Sequence, residues 1–249
     1  VVTYGPHVSA YVSARGAHNV HIAPQSVDND FWSAPEITPP DEQRWPSHAN
    51  FTLMFAGRAV REKGIGVLIE AWRASGLRAP AAALVLVGVG SCPPWIPAGG
   101  AVALAQEGIF CLGAVDATQL RNFYAASDVL VLPSIPTRSF REPWGLVVNE
   151  AMNRALPVIV SDAVGAAAGG LVRDQHNGLV VPAENPIALA SAIGRLAEDR
   201  ALRQRLGAAG AKDIQAYSHE AWAEGFSRAL ASIGVSRALA SLGVSRGGC

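Results

Sequence analysis

Short apolar runs, each of the length typical of a buried strand, recur through the middle of the chain. They lie at residues 52–56, 83–88, 109–112, 129–132, 158–161 and 179–181. Several are dense in Val, Ile and Leu without alternation, as expected of strands that are covered on both faces. Between them, apolar residues recur with helical spacing, for example at Ile65, Leu68 and Trp72. Alternating strands and helices imply right-handed crossovers, so the pattern predicts an α/β fold with a doubly wound parallel sheet.

Two stretches lack this pattern of strands and helices, one before it and one inside it. Residues 33–50 are rich in Pro and lack apolar periodicity, which predicts a linker. Residues 1–32 therefore precede a domain that we expect to span residues 51–217. Inside that domain, residues 91–106 form a Pro- and Gly-rich stretch that we predict to be a loop.

Beyond residue 182 the pattern becomes helical. Residues 186–197 and 200–215 are predicted helices, and a third is expected to start near Ser218. The chain ends on a tandem duplication, RALASIGVS at residues 228–236 and RALASLGVS at residues 237–245. The shift of nine residues rotates a helix by about 180°, so the second copy cannot extend the apolar stripe of the first. We therefore expect residues 218–249 to form a helix with a frayed tail past Gly234.

The charge balance and the cysteines narrow the possible partners. Twenty Lys and Arg residues balance twenty Asp and Glu residues, so no net positive charge favours nucleic acid or an anionic membrane. The apolar run at residues 81–89 is far shorter than the roughly 20 residues that cross a bilayer. Three widely spaced cysteines argue against a disulfide framework or a zinc site. We therefore expect a reducing, cytoplasmic setting. Any phosphate site would have to rest on a local group of cations, since the net charge is zero.

Ligands of parallel α/β sheets bind at the carboxyl ends of the strands, so the turns from strand to helix are the places to search. The first is FAGRAVREKG at residues 55–64, where Arg58 and Lys63 bracket the turn into a helix. Both cations can reach one anion, and the helix start adds unpaired N–H groups. A diphosphate would fit here. The alternative is a pair of solvated charges with Glu62 as a local partner.

The second turn is LPSIPTRSFREPWGLVVNEAM at residues 132–152. Pro143 stands where a helix can begin. The N–H groups of Trp144, Gly145 and Leu146 are therefore expected to be unpaired in its first turn.

Two carboxylates belong to this second turn. Glu142 precedes the helix, and Glu150 lies in it among apolar neighbours. A half-buried Glu requires partners, and the vicinal diol of a ribose offers two hydroxyl donors to one carboxylate. In the alternative interpretation Glu142 caps the helix or balances its dipole, and Glu150 belongs to a structural ion pair.

The third turn is SDAVGAAAGGLVRDQHNGLVVP at residues 161–182. Its glycines, Gly165, Gly169 and Gly170, would permit a ligand to approach the backbone closely. The alternative is a flexible turn.

Taken in order, these motifs resemble those of retaining glycosyltransferases with the two-domain GT-B fold, the group 1 or family 4 enzymes. The resemblance rests on GRAVREKG, VLVLPS, EPWGLVVNEAM with two Glu separated by seven residues, LPVIVSDAVG and NGLVVP. It covers residues 51–217 and implies a Rossmann-like donor-binding domain. Residues 1–32 resemble the end of the family's N-terminal acceptor domain, most of which has no counterpart in this chain.

The resemblance also implies roles in catalysis. Arg58 and Lys63 match the pair that neutralises the donor diphosphate, and Glu142 matches the first motif Glu, which contacts the donor sugar. Fixed cations then stabilise the leaving nucleoside diphosphate in place of magnesium. The implied reaction is metal-independent and needs no cofactor beyond the nucleotide-sugar donor.

The remaining implied residues hold the nucleotide. The N–H groups of Trp144, Gly145 and Leu146 assist with the diphosphate. Glu150 matches the second motif Glu, which holds the ribose. The turn after the third strand of the domain, from Gly113 to Val115, is where the family's backbone meets the base.

The family's acceptor-side His has no counterpart here, because it belongs to the first domain. The six His residues of the chain match no catalytic motif and are expected to be surface or packing residues. The donor sugar, the base and the acceptor, a carbohydrate or a lipid, are not identified by the sequence.

Two functions from different classes follow. The first is a glycosyltransferase, retaining at the anomeric carbon, of which this chain is mainly the donor-binding half. The second is a non-catalytic module that binds nucleotide sugars. Glycoside hydrolysis by Glu142 and Glu150 fits poorly because Glu150 lies in the body of a helix. A dehydrogenase function also fits poorly, because the sequence lacks the dinucleotide-binding fingerprint of those enzymes.

Overall fold

A computed structural model describes residues 1–35, 45–46, 48–90 and 100–234 of the chain. The first residues form a βαβ unit of strand β1 (Val2–Thr3), helix α1 (Pro6–Ser13) and strand β2 (His21–Ile22). Its two strands pair in parallel. A short helix, α2 (Asn29–Ser33), follows. The Asp28 carboxylate caps α2 by accepting a hydrogen bond from the Phe31 N–H at 2.9 Å.

The main body is a parallel sheet of six strands. The strands are β3 (Phe51–Ala56), β4 (Ala82–Val87), β5 (Ile109–Leu112), β6 (Val129–Leu132), β7 (Val158–Ser161) and β8 (Gly178–Val181). Their order in the sheet is β5-β4-β3-β6-β7-β8. Side chains from both faces of the strands, such as Leu53, Met54 and Leu130, are fully buried, because helices cover the sheet on both sides.

Helices join the strands and close the chain. They are α3 (Ile65–Ser75), α4 (Gly100–Gln106), α5 (Ala117–Ala125), α6 (Leu146–Asn153), α7 (Gly165–Ala168), α8 (Pro186–Glu198), α9 (Arg200–Asp213) and α10 (His219–Ser232). Helix α3 packs against α8, α6 packs against α9, and α10 returns to β2 of the first unit. Among the described helices, none combines the length and the apolar character that a membrane span requires.

The predicted α/β fold is confirmed. The six observed strands agree with the predicted runs to within one residue. The helices predicted after residue 182 are also observed, and Ser218 is the N-cap of α10, where its Oγ accepts a hydrogen bond from Ala221 N–H at 3.2 Å. The tail past Gly234 and most of the predicted linker lie outside the described residues. Trp45, inside that linker, is buried and stacks on Phe123 with ring centroids 4.9 Å apart.

The predicted loop at residues 91–106 was wrong in its last part, because residues 100–106 form α4. Residues 91–99 lie outside the described residues. The Pro residues of the stretch all precede this helix, and the segment AVALAQ after them is rich in good helix formers. Leu104 is almost fully buried, and α4 packs on β5. Burial against the sheet therefore stabilises a helix that the average composition of residues 91–106 did not indicate.

Candidate functional site

The order of the strands locates a crevice before any side chain is considered. Strand β3 starts the main sheet in its middle, and the chain then works outward to β5 before it crosses to β6 on the other side of β3. The loops after β3 and β6 therefore leave the sheet in opposite directions and open a crevice between them, as in other doubly wound sheets. Both of the predicted charged turns lie in these two loops.

Lys63 and Glu142 meet across this crevice. The Lys63 Nζ donates a hydrogen bond to Glu142 Oε2 at 2.5 Å, and the Ser134 hydroxyl donates to the same oxygen at 3.1 Å. The two side chains are only 16% and 8% exposed. Such a charge-assisted pair is stronger than a surface ion pair because little water competes for it.

This contact decides between the alternative partners that the sequence left open for Lys63 and Glu142. Glu62 was considered as the local partner of the cations, but the partner of Lys63 is Glu142. The alternative in which Glu142 caps the helix is also wrong, because its carboxylate is engaged by Lys63 and Ser134. Residues 79 positions apart thus converge at the predicted diphosphate turn.

Gly64 allows the two loops to come this close. It follows the short 3₁₀ helix Arg61–Lys63 with φ of +70°, and a Cβ there would clash with the Pro133 carbonyl. The Ile135 N–H donates to the Glu62 carbonyl at 2.9 Å in the same region. A residue with a side chain would therefore be strained and would push the loop after β3 away from the loop after β6.

Helix α6 starts three residues later than Pro143 suggested. Its N-cap is Gly145, with φ of +90°, and its first residue is Leu146. The N–H groups of Trp144, Gly145 and Leu146 donate to no acceptor within the described part of the chain. The predicted unpaired amides are therefore present, on a turn before the helix and at its first residue, and they suit an anion.

Glu150 lies on α6 and has a partner that the sequence did not predict. Its Oε2 accepts a hydrogen bond from the Tyr124 hydroxyl at 2.8 Å, and Tyr124 is almost fully buried. Burial raises the pKa of Glu150, and the bond from Tyr124 opposes that rise. Since no cation pairs with Glu150 among the described residues, the structural ion pair of the alternative interpretation is absent there, and Glu150 Oε1 has no donor among those residues.

The other predicted site residues lie along the same edge of the sheet. Arg58 is exposed on the loop after β3 and forms no ion pair among the described residues. The Gly113 carbonyl, just after β5, accepts a hydrogen bond from Gly88 N–H at 3.2 Å, and Val115 packs partly on the core. Because β5 lies two strands from β3, this turn is about 10 Å from the β3 loop at the usual strand spacing.

The glycines of the third turn do not leave room for a ligand in the way the sequence suggested. A Cβ at Gly165 would clash with the Pro143 carbonyl, and one at Gly169 would clash with the Trp144 ring. Both glycines permit close packing against the loop that carries Glu142. Only Gly170 of the three has open space where a Cβ would be.

Besides Tyr124, Asn149 and His7 near the site were missed by sequence reasoning. Asn149 is fully buried, accepts a hydrogen bond from Trp144 Nε1 at 2.8 Å and donates to the Gln25 carbonyl at 3.0 Å. His7, on α1, stacks near the Trp144 ring with centroids 6.3 Å apart. A polar Asn within the apolar run of α6 was the one signal available, and nothing in the sequence placed His7 here.

Comparisons of sequence identify relatives of the chain. The family described as Glycosyl transferases group 1 matches residues 50–199, which is more than half of the chain. A D-inositol 3-phosphate glycosyltransferase of Xylanimonas cellulosilytica is 31% identical over 207 residues, which cover 78% of this chain and 46% of the relative. A phosphatidyl-myo-inositol mannosyltransferase of Mycobacterium leprae is 33% identical over 184 residues, which cover 73% and 46%. The chain thus spans less than half the length of these relatives.

Comparisons of structure agree with the family. The sucrose-phosphate synthase of Thermosynechococcus elongatus aligns with a TM-score of 0.69 and 28% identity over 97% of this chain and 58% of the synthase. HepE of Anabaena, solved in complex with UDP-glucose, aligns with a TM-score of 0.71 and 21% identity over 93% of this chain and 63% of HepE. The six-stranded sheet has the Rossmann-like fold of GT-B glycosyltransferases, and the chain belongs to the glycosyl transferases group 1 family.

Proposed function

We propose that this chain carries the nucleotide-sugar donor site of a retaining, metal-independent glycosyltransferase. The observation that carries the proposal is the contact of Lys63 with Glu142 across the crevice between β3 and β6. One side of that crevice offers a cation, and the other offers a carboxylate and unpaired amides. These are the groups that a sugar diphosphate needs.

The diphosphate would bind at Lys63 and the amides that precede α6. A Lys ammonium has three donors, so Lys63 can keep its bond to Glu142 while it reaches a phosphate oxygen. Arg58, exposed and without an ion pair among the described residues, is free to turn toward the same phosphates. As the bond from the sugar C1 to the diphosphate oxygen breaks, negative charge grows on that oxygen, and these fixed groups stabilise it.

The two Glu residues would hold the sugars at either end of the diphosphate. Glu142 stands beside Lys63 and would contact the donor sugar. Glu150 has an oxygen, Oε1, without a donor among the described residues, and it would accept from the ribose hydroxyls. The turn from Gly113 to Val115 lies at the distance along the sheet edge where the base of such a nucleotide would reach. In the transfer itself a new C1–O bond to an acceptor hydroxyl would form with the original configuration, and the proton of that hydroxyl would pass to the departing diphosphate oxygen.

The names of the relatives support a donor and an acceptor of this class. HepE was solved with UDP-glucose, which supports a UDP-sugar donor. The inositol phosphate and sucrose-phosphate enzymes support an acceptor with several hydroxyl groups. The acceptor would be selected largely by an N-terminal domain of the kind whose end residues 1–32 resemble.

A non-catalytic module that binds nucleotide sugars is the second candidate. It is favoured by the small size of the βαβ unit, which has only two parallel strands among the described residues, whereas parallel pairs are normally parts of larger sheets. With so small an acceptor side, the described residues would bind a donor without transferring its sugar. Sustained sugar transfer by the chain alone would refute the idea that it is only half of an active site.

Calorimetry tests the donor site. The chain is expected to bind UDP or GDP, and Lys63→Ala is expected to weaken that binding by about tenfold or more, since charged hydrogen bonds contribute about 1.5–3 kcal/mol. Lys212→Ala is the matched control, because Lys212 is the other lysine of the chain and is exposed on α9. Absence of binding of either nucleotide at millimolar concentration would overturn the proposal, as would an equal loss in both variants.

A further inference from the structure

Two buried hydroxyl groups at the ends of β6 and β7 support the Glu142 carboxylate. Ser134 lies two residues after β6 and is fully buried. Its Oγ donates to Glu142 Oε2 at 3.1 Å. Ser161, the buried last residue of β7, donates in turn to the Ser134 carbonyl at 2.5 Å. The end of β7 therefore holds the main chain of Ser134, and the Ser134 side chain holds the carboxylate.

The acceptor that Ser134 uses differs from that of other serines in the same domain. Ser75, Ser127 and Ser161 donate to main-chain carbonyls, which are common acceptors for a serine hydroxyl. Ser134 donates to a largely buried carboxylate, and a hydrogen bond to a charged acceptor is roughly twice as strong as a neutral one. The Ser134 hydroxyl is thus directed at Glu142 and not at the main chain of its own loop.

The two donors on Oε2 determine which oxygen of Glu142 a ligand meets. Lys63 Nζ and Ser134 Oγ both donate to that oxygen. Because a carboxylate oxygen has about two lone-pair sites, these two donors fill Oε2. Glu142 Oε1 accepts from no donor among the residues that the structure describes. A hydroxyl group of a bound sugar is therefore directed to Oε1.

Ser134 fixes the carboxylate more firmly than Lys63 does. The Lys63 ammonium is a point charge at the end of a flexible stem, and in the proposed function it also reaches a phosphate oxygen. Ser134 has a short side chain in buried surroundings, so it keeps its bond direction while Lys63 adjusts. A carboxylate held in this way loses little rotamer freedom when a sugar binds.

We propose that Ser134 is a positioning residue for the donor sugar: its hydroxyl, supported by Ser161, holds Glu142 Oε2 so that Oε1 faces the sugar. The proposal rests on the proposed function, because it places Glu142 at the donor sugar. Ser134 itself touches no part of the donor and acts only through Glu142.

Calorimetry with UDP and UDP-glucose tests this role. Ser134→Ala is expected to weaken the binding of UDP-glucose relative to that of UDP by about two- to twelvefold, the range of one ordinary hydrogen bond. Ser134→Cys, which keeps the size of the side chain but is a weaker donor, should change the ratio in the same direction. Ser127→Ala is the matched control, because Ser127 precedes β6 at the other end of the strand and donates to the Phe123 carbonyl. It should leave the ratio unchanged.

A double-mutant cycle separates positioning from a general effect on the fold. If Ser134 acts through Glu142, Ser134→Ala should have no effect on the ratio in a Glu142→Ala background. A loss that persists in that background would overturn the proposal, as would an equal loss for UDP and UDP-glucose. A ratio that depends on Glu142 but not on Ser134 would defeat the positioning role and leave the donor site intact.

Magnetic resonance of the ligand-free chain tests the hold on Glu142 without any nucleotide. Lys63 and Lys212 are the two lysines of the chain, so isotope-labelled lysine gives two ammonium signals, and Lys212→Ala assigns them. Ser134→Ala is expected to speed the exchange of the Lys63 ammonium protons with water by about two- to twelvefold, because the pair with Glu142 opens more often. The Lys212 signal should not change.

This second measurement keeps the two proposals apart. If the chain binds no UDP, or if Glu142→Ala does not alter the ratio, the donor-site assignment of Glu142 fails. Ser134 is then judged by the Lys63 signal alone. Faster exchange in Ser134→Ala would support its hold on Glu142, and an unchanged rate would overturn it.

Discussion

Tyr124 determines which oxygen of Glu150 remains available to a ligand. Its hydroxyl donates to Glu150 Oε2 at 2.8 Å from an almost fully buried position, which fixes the carboxylate and leaves Oε1 for a second donor. A carboxylate held in this way loses little rotamer entropy when a ribose binds. Tyr124 would therefore act on the nucleotide through Glu150 without touching it.

Tyr124→Phe is predicted to weaken UDP binding by about two- to twelvefold, the range that corresponds to one hydrogen bond of roughly 0.5–1.5 kcal/mol. The same variant should bind 2′,3′-dideoxy-UDP as the parent chain does, because that nucleotide has no ribose hydroxyls for Glu150 to hold. Calorimetry with both nucleotides measures the difference. An equal loss for the two would mean that the substitution only disturbs the fold, and the positioning role would be rejected.

Residue-scale features were predictable when the signal was local. Lys63 and Glu142 stood out because charged residues followed strands, and the structure brings them together. The choice between Glu62 and Glu142 as partner was not predictable, since it depends on how loops 79 residues apart pack at the crevice. His7 and Tyr124 were missed as site residues for the same reason, because their contacts exist only after the chain has folded.

The placement of α3 depends on the single backbone conformation at Gly64. Gly64→Ala is predicted to destabilise the chain by about 2 kcal/mol or more, from the strain of a side chain at positive φ and the clash with the Pro133 carbonyl. Urea denaturation measures this change. Because the clash separates the loops that hold Lys63 and Glu142, UDP binding should weaken as well.

Gly194→Ala is the matched control for Gly64→Ala. Gly194 lies inside α8, and a Cβ there would meet no atom within 4 Å. Gly194→Ala should therefore stabilise the chain by roughly 0.5–1 kcal/mol through helix propensity. If Gly64→Ala behaved like Gly194→Ala, the close approach of the two loops would not be a requirement of the fold.

Among the strands and helices, the sequence predicted the position of those that depend on the apolar pattern alone. The strands were located because buried parallel strands are continuous apolar runs. The start of α6 was misplaced because the positive φ of Gly145 and the packing of Pro143 on Gly165 override the tendency of Pro to begin a helix. Helix α4 was missed because Pro and Gly residues in front of it dominated the local composition.

Across the whole molecule, α6 joins the site to the first βαβ unit. Asn149 accepts from Trp144 Nε1 and donates to the Gln25 carbonyl, and Asn153 donates to Asn29 Oδ1 at 2.8 Å. Residues 25–29 are thereby held against the helix that carries Glu150. The proposed donor site and the first βαβ unit share this support, so loss of it should loosen both.

Asn149→Ala is predicted to destabilise the chain by about 2–6 kcal/mol, because it leaves a buried Trp144 N–H and a Gln25 carbonyl without partners at roughly 1–3 kcal/mol each. Thermal unfolding measures the loss, and hydrogen exchange locates it. Amides of α1 and β2 should exchange faster, while those of β3 and β4 at the centre of the sheet keep their protection. Asn50→Ala, at an exposed position, should change stability by less than about 0.5 kcal/mol. A uniform loss of protection across the sheet would contradict the prediction, because it would place Asn149 in the general core and not in the connection between the first unit and the site.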